Sequence, residues 1–370
     1  MFTDLEQSMY ARQIILPELG IAGQQLLKNA SVLVVGAGGL GCPVLLQLAV
    51  AGVGIIGIMD HDVVDATNLH RQTLYTWSDI GKHKAQCAVL ALERHNPFIN
   101  LKAIVEKLSF DNVLETISAY DVVVDGTDNF VAKYLLNDAC LMAQKPLVYG
   151  AVSQFEGQVS VFGLPLTKKY AVPSLHHLIP FSENLNMVAN CATGGVLGVL
   201  PAIVGGIQAM ETIKIIAKIG EPLIGKVLVI DALTMRFQQF ALELFPPETT
   251  TLTDYGTATI CSTTNNMEIS PSELQLWMNG AVSFQLMDVR EDWERQICLL
   301  PSLHIPLHQL GSRFREINPA MPVVFYCHHG VRSLQAVATA EENLQGKFYS
   351  MAGGIDAWAK EIDSSMSRYY

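Results

Sequence analysis

The feature that most constrains this chain is a short apolar run, Ser31 to Val35, that breaks into the glycine cluster Gly36-Ala-Gly-Gly-Leu-Gly41 and resumes as the apolar run Pro43 to Val50. A short Val/Leu-rich segment closed by glycines predicts a buried strand, and the longer run after it predicts a helix. A strand that turns through glycines into a helix suits an anion. The glycines let backbone approach it closely, and the helix N-terminus supplies N–H donors and positive potential. A second apolar run, Val53 to Met59, ends at Asp60, 24 residues after Gly36, where a carboxylate can accept both hydroxyls of a ribose. On their own these residues fit a nicotinamide enzyme as well as an ATP enzyme. Tyr120 to Val124 and Pro146 to Tyr149 read as further buried strands separated by helical stretches. The expectation is an α/β fold, Rossmann-like, with a parallel sheet covered on both faces.

At roughly 150 residues per domain, 370 residues predict two or three domains. Composition changes after Leu244, where FPPETTTLTDYGTATICSTTNN is rich in Thr and Pro and lacks hydrophobic periodicity. A second α/β pattern follows, with strands at Phe284 to Val289 and Pro322 to Tyr326 and a helix at Val331 to Glu342. The expected division is 1–245, a linker at 246–266, and a smaller α/β domain at 267–370. A flexible linker of that length has an r.m.s. reach of about 25 Å. Lys and Arg number 16 against 23 Asp and Glu up to residue 266, and 8 against 12 after it. Neither part carries the basic excess of a nucleic-acid binder. Seven cysteines, an odd number with no framework spacing, read as reduced thiols of a cytoplasmic protein. The most apolar stretch, Val196 to Ile219, is broken by Gly205, Gly206, Glu211 and Lys214. It reads as a buried helix rather than a membrane span, which needs about 20 predominantly apolar residues. The opening MFTDLEQSMYARQ has early acids and no apolar core, so it does not read as a signal peptide.

Asp60 opens DHDVVDATNLHRQ, and GKHKA and GTDN follow. With YARQIILPELG before them and EGQVSVF and NCATGGVLG after, these motifs resemble the ubiquitin-activating-enzyme superfamily from about Tyr10 to Leu244. The resemblance is to its bacterial-type members, which adenylate ubiquitin-like sulfur carriers in molybdopterin or thiamine synthesis. It implies attack of a carrier's C-terminal glycine carboxylate on the α-phosphate of ATP, with release of pyrophosphate, the carrier ending in Gly-Gly. Two anions must meet, so positive charge has to offset their repulsion. By resemblance Arg71 and Lys84 supply it, Asn68 hydrogen-bonds the phosphates, and the Gly38–Gly39 backbone lies against them. Asp60 takes the ribose, Asn129 sits beside the nucleotide, and Asp128 contacts Mg²⁺, a hard cation that prefers carboxylate oxygen. Arg12 is expected to reach the ATP site of the other subunit of a homodimer. Arg71, Lys84 and Asp128 argue against the nicotinamide alternative.

Family members usually carry two Cys-x-x-Cys pairs that hold a structural zinc. The corresponding stretches here are PSLHHLIP, with Ser174 and His177 in the cysteine positions, and LFPPETTTLTDY, with no cysteine. A tetrahedral site needs four soft or borderline ligands, so zinc is expected to be absent. A zinc on His176, His177 and a distant thiolate is the alternative.

Two thiols remain as candidates. Cys191 lies in NMVANCATGGVLG before a helix rich in small residues, where a helix N-terminus would favour thiolate. In family members fused to a sulfurtransferase domain, this cysteine is thought to attack the acylated carrier and leave as a disulfide. A small buried residue is the plainer reading. Cys327 opens CHHGVR, of the form C-x-x-G-x-R, after an apolar strand. With DVREDWE and MAGGIDAWA around it, this resembles the rhodanese family from about Glu268 to Asp363. The resemblance implies a loop whose backbone N–H groups curl around the sulfur and stabilise thiolate and persulfide. Gly330 permits the curl, Arg332 adds positive charge, and an upstream persulfide donor supplies the sulfur. The joint expectation is an enzyme that adenylates a carrier in one domain and passes it sulfur from the other.

Overall fold

The computed structural model describes residues 2–166, 172–180, 195–244, 252–253 and 268–369. The chain divides into two compact units, and all described residues from 268 onward belong to the second. Most of the expected linker lies outside the described residues.

The first unit is built on eight strands: β1 (Ser31–Val35), β2 (Ile55–Met59), β3 (Asn100–Ile104), β4 (Val122–Asp125), β5 (Leu147–Ser153), β6 (Glu156–Phe162), β7 (Lys226–Asp231) and β8 (Arg236–Ala241). They lie in the order β3-β2-β1-β4-β5-β6-β7-β8. The first five are parallel, with Val34 of β1 registered against Ile58 and Val124. Alternate residues of β1 enter opposite cores. Val32 and Val34 pack with Leu45, Leu48 and Ala88, whereas Leu33 and Val35 pack with Tyr134, Leu136 and Ala139. Both faces are therefore covered by helices, which is why these strands read as unbroken apolar runs.

The expectation of a parallel sheet holds only to β5. The three strands beyond it run antiparallel. The cause is local. Gln154 takes a positive φ of 50° in a two-residue turn, Gln154-Phe155, that pairs Ser153 with Glu156. A turn that short can return the chain only antiparallel.

The apolar stretch forms a helix, Val199–Ala217, long and apolar enough by composition to cross a membrane. Here it is a core helix packed on β5 and β6. A Cβ at Gly157 would fall 2.5 Å from Val204, and one at Gly150 2.4 Å from the Gln208 amide, so two missing side chains form its seat. Two of its buried polar side chains hydrogen-bond inside the fold, although Gln208 Oε1 finds no partner among the described residues. Gln208 donates to the Asp125 carbonyl at 2.8 Å, and Glu211 accepts from the Leu223 N–H at 2.8 Å.

The second unit has five parallel strands: β9 (Glu268–Ile269), β10 (Gln285–Asp288), β11 (Leu303–His304), β12 (Val323–Tyr326) and β13 (Phe348–Met351). Their order is β11-β10-β12-β13-β9. Every residue of the central β12 is buried, and the helix Val331–Asn343 follows it.

Candidate functional site

In the first unit, the carboxyl ends of β1, β2 and β4 meet where the strand order reverses, the position at which open α/β sheets bind ligands. Gly36 leaves β1 with φ +89°, and a Cβ there would lie 2.6 Å from the Gly126 carbonyl oxygen. Only glycine fits, and the glycine loop is thereby pressed against the GTDN loop. The Ala37 peptide is held from both sides. Its N–H donates to Asp60 Oδ2 at 2.8 Å, and its carbonyl accepts from the Tyr75 hydroxyl at 2.7 Å and the Cys42 thiol at 3.4 Å. Burial pushes the Cys42 thiol up to about 12, so it stays a donor. The other Asp60 oxygen accepts from the Asp62 N–H at 2.8 Å. A carboxylate oxygen accepts more than one bond, so Asp60 keeps capacity for a hydroxyl.

The expected cations gather at this end. Arg71 lays its stem along Gly39, whose Cβ would sit 3.5 Å from Arg71 Cδ. Its guanidinium donates to the Thr67 carbonyl at 3.0 Å and lies 2.7 Å from His70 Nε2. Burial, with the Arg71 charge, holds His70 below its ordinary pKa. Asn68 is half-buried at the end of the turn Ala66–Asn68. Lys84 is buried at the head of the helix Lys84–His95 and donates to Asp62 Oδ2 at 2.9 Å. Backbone bonds from Val64 to Lys82 and from Lys84 to Asp62 join its loop to the Asp60 segment. Asp128 is exposed and makes no hydrogen bond or ion pair among the described residues, so its carboxylate is available to a hard cation. Asn129 caps the helix Phe130–Met142 by accepting from the Ala132 N–H at 2.9 Å, a structural duty the sequence reading did not assign. Arg12 is exposed on the last turn of the helix Asp4–Ile14.

Three residues here escaped the sequence reading. Gln72 is buried beside Gly38, and its side chain makes no hydrogen bond among the described residues. An orphaned buried amide facing a glycine loop fits a polar ligand. Beneath the GTDN loop, Lys133 pairs with Asp125 at 3.0 Å and donates to the Gly150 carbonyl at 2.7 Å. Asp125 in turn accepts from the Thr127 N–H and hydroxyl, which shapes the loop that carries Asp128.

At the stretch aligned with the zinc pairs, Ser174 Oγ lies 2.8 Å from His177 Nδ1, and His176 Nε2 lies 2.9 Å from Asp138 Oδ1. Hydroxyl, imidazoles and carboxylate satisfy one another in a local network, a donor set that does not fit a thiolate-rich zinc site. Cys191 lies outside the described residues. Among the described cysteines, Cys42, Cys87, Cys140, Cys298 and Cys327 are free thiols.

In the second unit, Cys327 follows β12 and is buried. The Gly330 N–H donates to its sulfur at 3.1 Å, and the Ser333 hydroxyl approaches at 3.5 Å. The Gly330 carbonyl, 2.9 Å away, is the other acceptor in reach of the one Ser333 hydroxyl proton, and Ser350 donates to Ser333 at 2.8 Å. Gly330 has φ +97°. The helix Gly354–Glu361 fastens the other side of the loop, its Ile355 and Asp356 N–H groups donating to the Cys327 and His328 carbonyls at 2.8 and 3.1 Å. A Cβ at Gly354 would lie 2.3 Å from the His328 carbonyl.

Arg332, expected to add positive charge at the loop, is held in an ion pair. Both its terminal nitrogens donate to Glu294 at 2.6 Å. Burial would raise the Glu294 carboxyl, but hydrogen bonds from Arg332, the Glu291 backbone and Tyr369 bring it down to about 2. A second buried pair, Arg290 on Asp288, holds the end of β10 through bonds of 2.9 and 2.7 Å. Glu294, Arg290 and Tyr369 were missed because nothing in their spacing separates a loop-supporting residue from an ordinary surface charge.

Residues 10–251 match the ThiF family, and residues 270–361 match the rhodanese-like domain. The probable adenylyltransferase/sulfurtransferase MoeZ of Mycobacterium tuberculosis is 39% identical over 98% of this chain and 95% of its own length. The sulfur carrier protein adenylyltransferase of Thermus thermophilus is 46% identical over 66% of this chain and 90% of its own length. Among solved structures, E. coli MccB with AMPCPP and MccA superposes with a TM-score of 0.56 at 23% identity, over 65% of this chain and 73% of that one, a likeness of fold. The glycine loop under Asp60 and the cysteine loop after β12 thus fall one in each matched region, and the chain is an enzyme of the ThiF family that carries a rhodanese-like domain.

Proposed function

We propose that this enzyme activates and sulfurates a small ubiquitin-like sulfur carrier ending in Gly-Gly. The terminal carboxylate attacks the α-phosphate of ATP, the bond to pyrophosphate breaks, and an acyl-adenylate forms. A Cys327 persulfide, loaded by an upstream donor, then attacks the acyl carbon and AMP leaves. Cys191 attacks the resulting acyl disulfide, releases the thiocarboxylate and remains as a disulfide. The observation that carries the reading is the presence in one chain of two differently equipped anion sites. One has a glycine loop with Arg71 beside it, and the other points an N–H and a hydroxyl at a thiol sulfur. The MoeZ relative, an adenylyltransferase/sulfurtransferase by name, supports both halves, and the Thermus sulfur carrier protein adenylyltransferase supports the first.

In this reading Arg71 and Lys84 offset the charge of the phosphates, Asn68 hydrogen-bonds them, and Gly38 and Gly39 give them backbone. Lys84 moves from Asp62 to do so. Asp60 receives the ribose hydroxyls, and Asn129 keeps its cap beside the nucleotide. Asp128 would hold Mg²⁺, which supplies charge neutralisation at the phosphates when bound. Arg12 serves the ATP site of the partner in a homodimer. The enzyme works in the cytoplasm without structural zinc, and the carrier belongs to molybdopterin synthesis, with the thiamine or another sulfur-carrier pathway as the alternative.

The test is ATP–pyrophosphate exchange against a panel of carriers ending in Gly-Gly. Exchange with one carrier is expected. NAD(H) binding without exchange would overturn the reading in favour of an oxidoreductase. Cys191→Ser is expected to keep exchange and persulfide formation and to slow only the thiocarboxylated product, followed by mass. A normal product rate would return Cys191 to a packing role. Light scattering checks the dimer, and elemental analysis near one zinc per chain would refute the zinc statement.

A further inference from the structure

The rhodanese-like unit contains a second contact with the cysteine loop, made by residues more than thirty positions beyond it. The Tyr369 hydroxyl accepts from Arg290 Nη1 at 2.9 Å and donates to Glu294 Oε1 at 2.7 Å. Glu294 is the carboxylate that grips Arg332, the last residue of the loop. The Tyr369 ring lies flat on the His328 imidazole, with centroids 4.0 Å apart and planes 11° apart. Next to it, Arg368 Nε donates to Asp356 Oδ1 at 2.8 Å, and the Asp356 N–H holds the His328 carbonyl. Arg368 and Tyr369 therefore brace the loop at both ends: at His328 directly, and at Arg332 through Glu294.

We propose that Tyr369 is a positioning residue for sulfur transfer, holding the Cys327–Arg332 loop closed around the sulfur through Glu294 and by covering His328. The inference rests on the reading of Cys327 as the sulfur carrier. A persulfide places a second, negatively charged sulfur beyond Cys327 Sγ, and its stabilisation depends on donors held at fixed directions. Of those donors, the Gly330 N–H lies between the two braced ends, and the Ser333 hydroxyl follows directly after Arg332. If the braces go, the donors lose alignment while the cysteine itself is unchanged. Burial raises the Tyr369 phenol above its ordinary pKa, so it keeps the proton it gives to Glu294.

The test uses the full chain as wild type, Tyr369→Phe, Tyr369→Ala, Glu294→Gln and the Tyr369→Phe/Glu294→Gln double variant. Thiosulfate:cyanide sulfurtransferase kcat and KM are measured with the iodoacetamide alkylation rate of Cys327 and the melting curve. Tyr369→Ala is expected to lower kcat about tenfold or more, the scale of loss when a reacting group is slightly misplaced, with the KM for thiosulfate near wild type. Tyr369→Phe keeps the ring on His328 and is expected to fall between wild type and Ala. In the double variant, the Phe change should cost nothing beyond Glu294→Gln, because the hydroxyl acts through that carboxylate. Wild-type kcat in Tyr369→Ala, or full additivity in the double variant, would overturn the proposal. If Tyr369→Ala does not fold, the Phe variant and the cycle carry the test. If the wild type turns over no thiosulfate, the sulfur-transfer reading fails. The alkylation rate then still decides the positioning role, which falls if Tyr369→Ala leaves that rate unchanged.

Discussion

The two loops are close relatives in construction and opposites in electrostatics. Each leaves a buried parallel strand, turns on a glycine with positive φ, Gly36 at +89° and Gly330 at +97°, and leads into a helix. Around the Cys327 loop the charges are closed on each other, with Arg332 on Glu294 and Arg290 on Asp288. Around the Gly36 loop they are left open. Among the described residues Asp128 is exposed without a partner, the Gln72 side chain is unbonded, and Lys84 is paired with an exposed Asp62. A site that receives a highly charged ligand from solvent must keep groups to meet it. A site whose anion is a covalently attached sulfur needs a rigid cradle, and internal ion pairs make it rigid.

The largest effect that would break this comparison is at the sulfur. Cys327→Ser is expected to abolish persulfide formation completely, because a hydroxyl has no accessible anion near neutral pH, and to leave pyrophosphate exchange intact. Loss of exchange in a folded Cys327→Ser protein would mean that the loops do not divide the chemistry. Next, Asp128→Ala and Lys84→Ala are each expected to lower exchange by about a hundredfold or more, the scale seen when one transition-state electrostatic partner is removed. Persulfide labelling should be unaffected. Wild-type-like exchange in both would remove the basis for calling the first loop a site with open charges.

A backbone comparison sharpens the point at smaller scale. Gly330→Ala meets nothing closer than 3.2 Å and should cost about 1–2 kcal/mol, the penalty of left-handed backbone for an L-residue. Gly36→Ala carries the same penalty and also drives Cβ to 2.6 Å from the Gly126 carbonyl, so it should lose more. Chemical unfolding of the two variants reads the difference, and equal losses would contradict the close approach of the Gly36 loop to the GTDN loop. The smallest effect concerns pH. Burial, with His329 nearby, lowers His328 from 6.5 to about 4. The unfolded chain therefore binds this proton first, so the contribution is complete above 6.5 and is lost as pH falls towards 4. His328→Gln should flatten that part of the stability profile of the second unit, and an unchanged slope would show that His328 is not its source.

Much of this was legible in the residues. The apolar run Ser31 to Val35 is a strand over those residues, and the β4 and β12 runs were found within two residues of their ends. Buried parallel strands need continuous apolar sequence and so announce themselves. β6, β7 and β8 were not singled out as strands. β8 is exposed along its whole length, and RFQQFA lacks the apolar continuity that marks a buried strand. The motifs pointed to the chemical residues proposed for the two sites. Their supports were not legible: Tyr75 on Ala37, Lys133 on Asp125 and Tyr369 on Glu294 act across 38, 8 and 75 positions. Periodicity and local spacing carry no information about such pairings before the chain is folded.

The seat of the Val199–Ala217 helix bears on how this protein is made. Gly150 and Gly157, the Asp125 carbonyl and the helix Gly41–Ala51 that packs beside it all precede the helix in the chain. Synthesis proceeds from the N-terminus, and domains fold as they emerge. The part of the recess made by β5, β6 and the Gly41–Ala51 helix is thus synthesised before that segment leaves the ribosome, and Leu223 and β7 complete it afterwards. A 19-residue helix apolar enough for a bilayer then has an interior destination waiting for it. Moving it ahead of β5 and β6 by circular permutation would expose the same helix to membranes and chaperones before its recess existed.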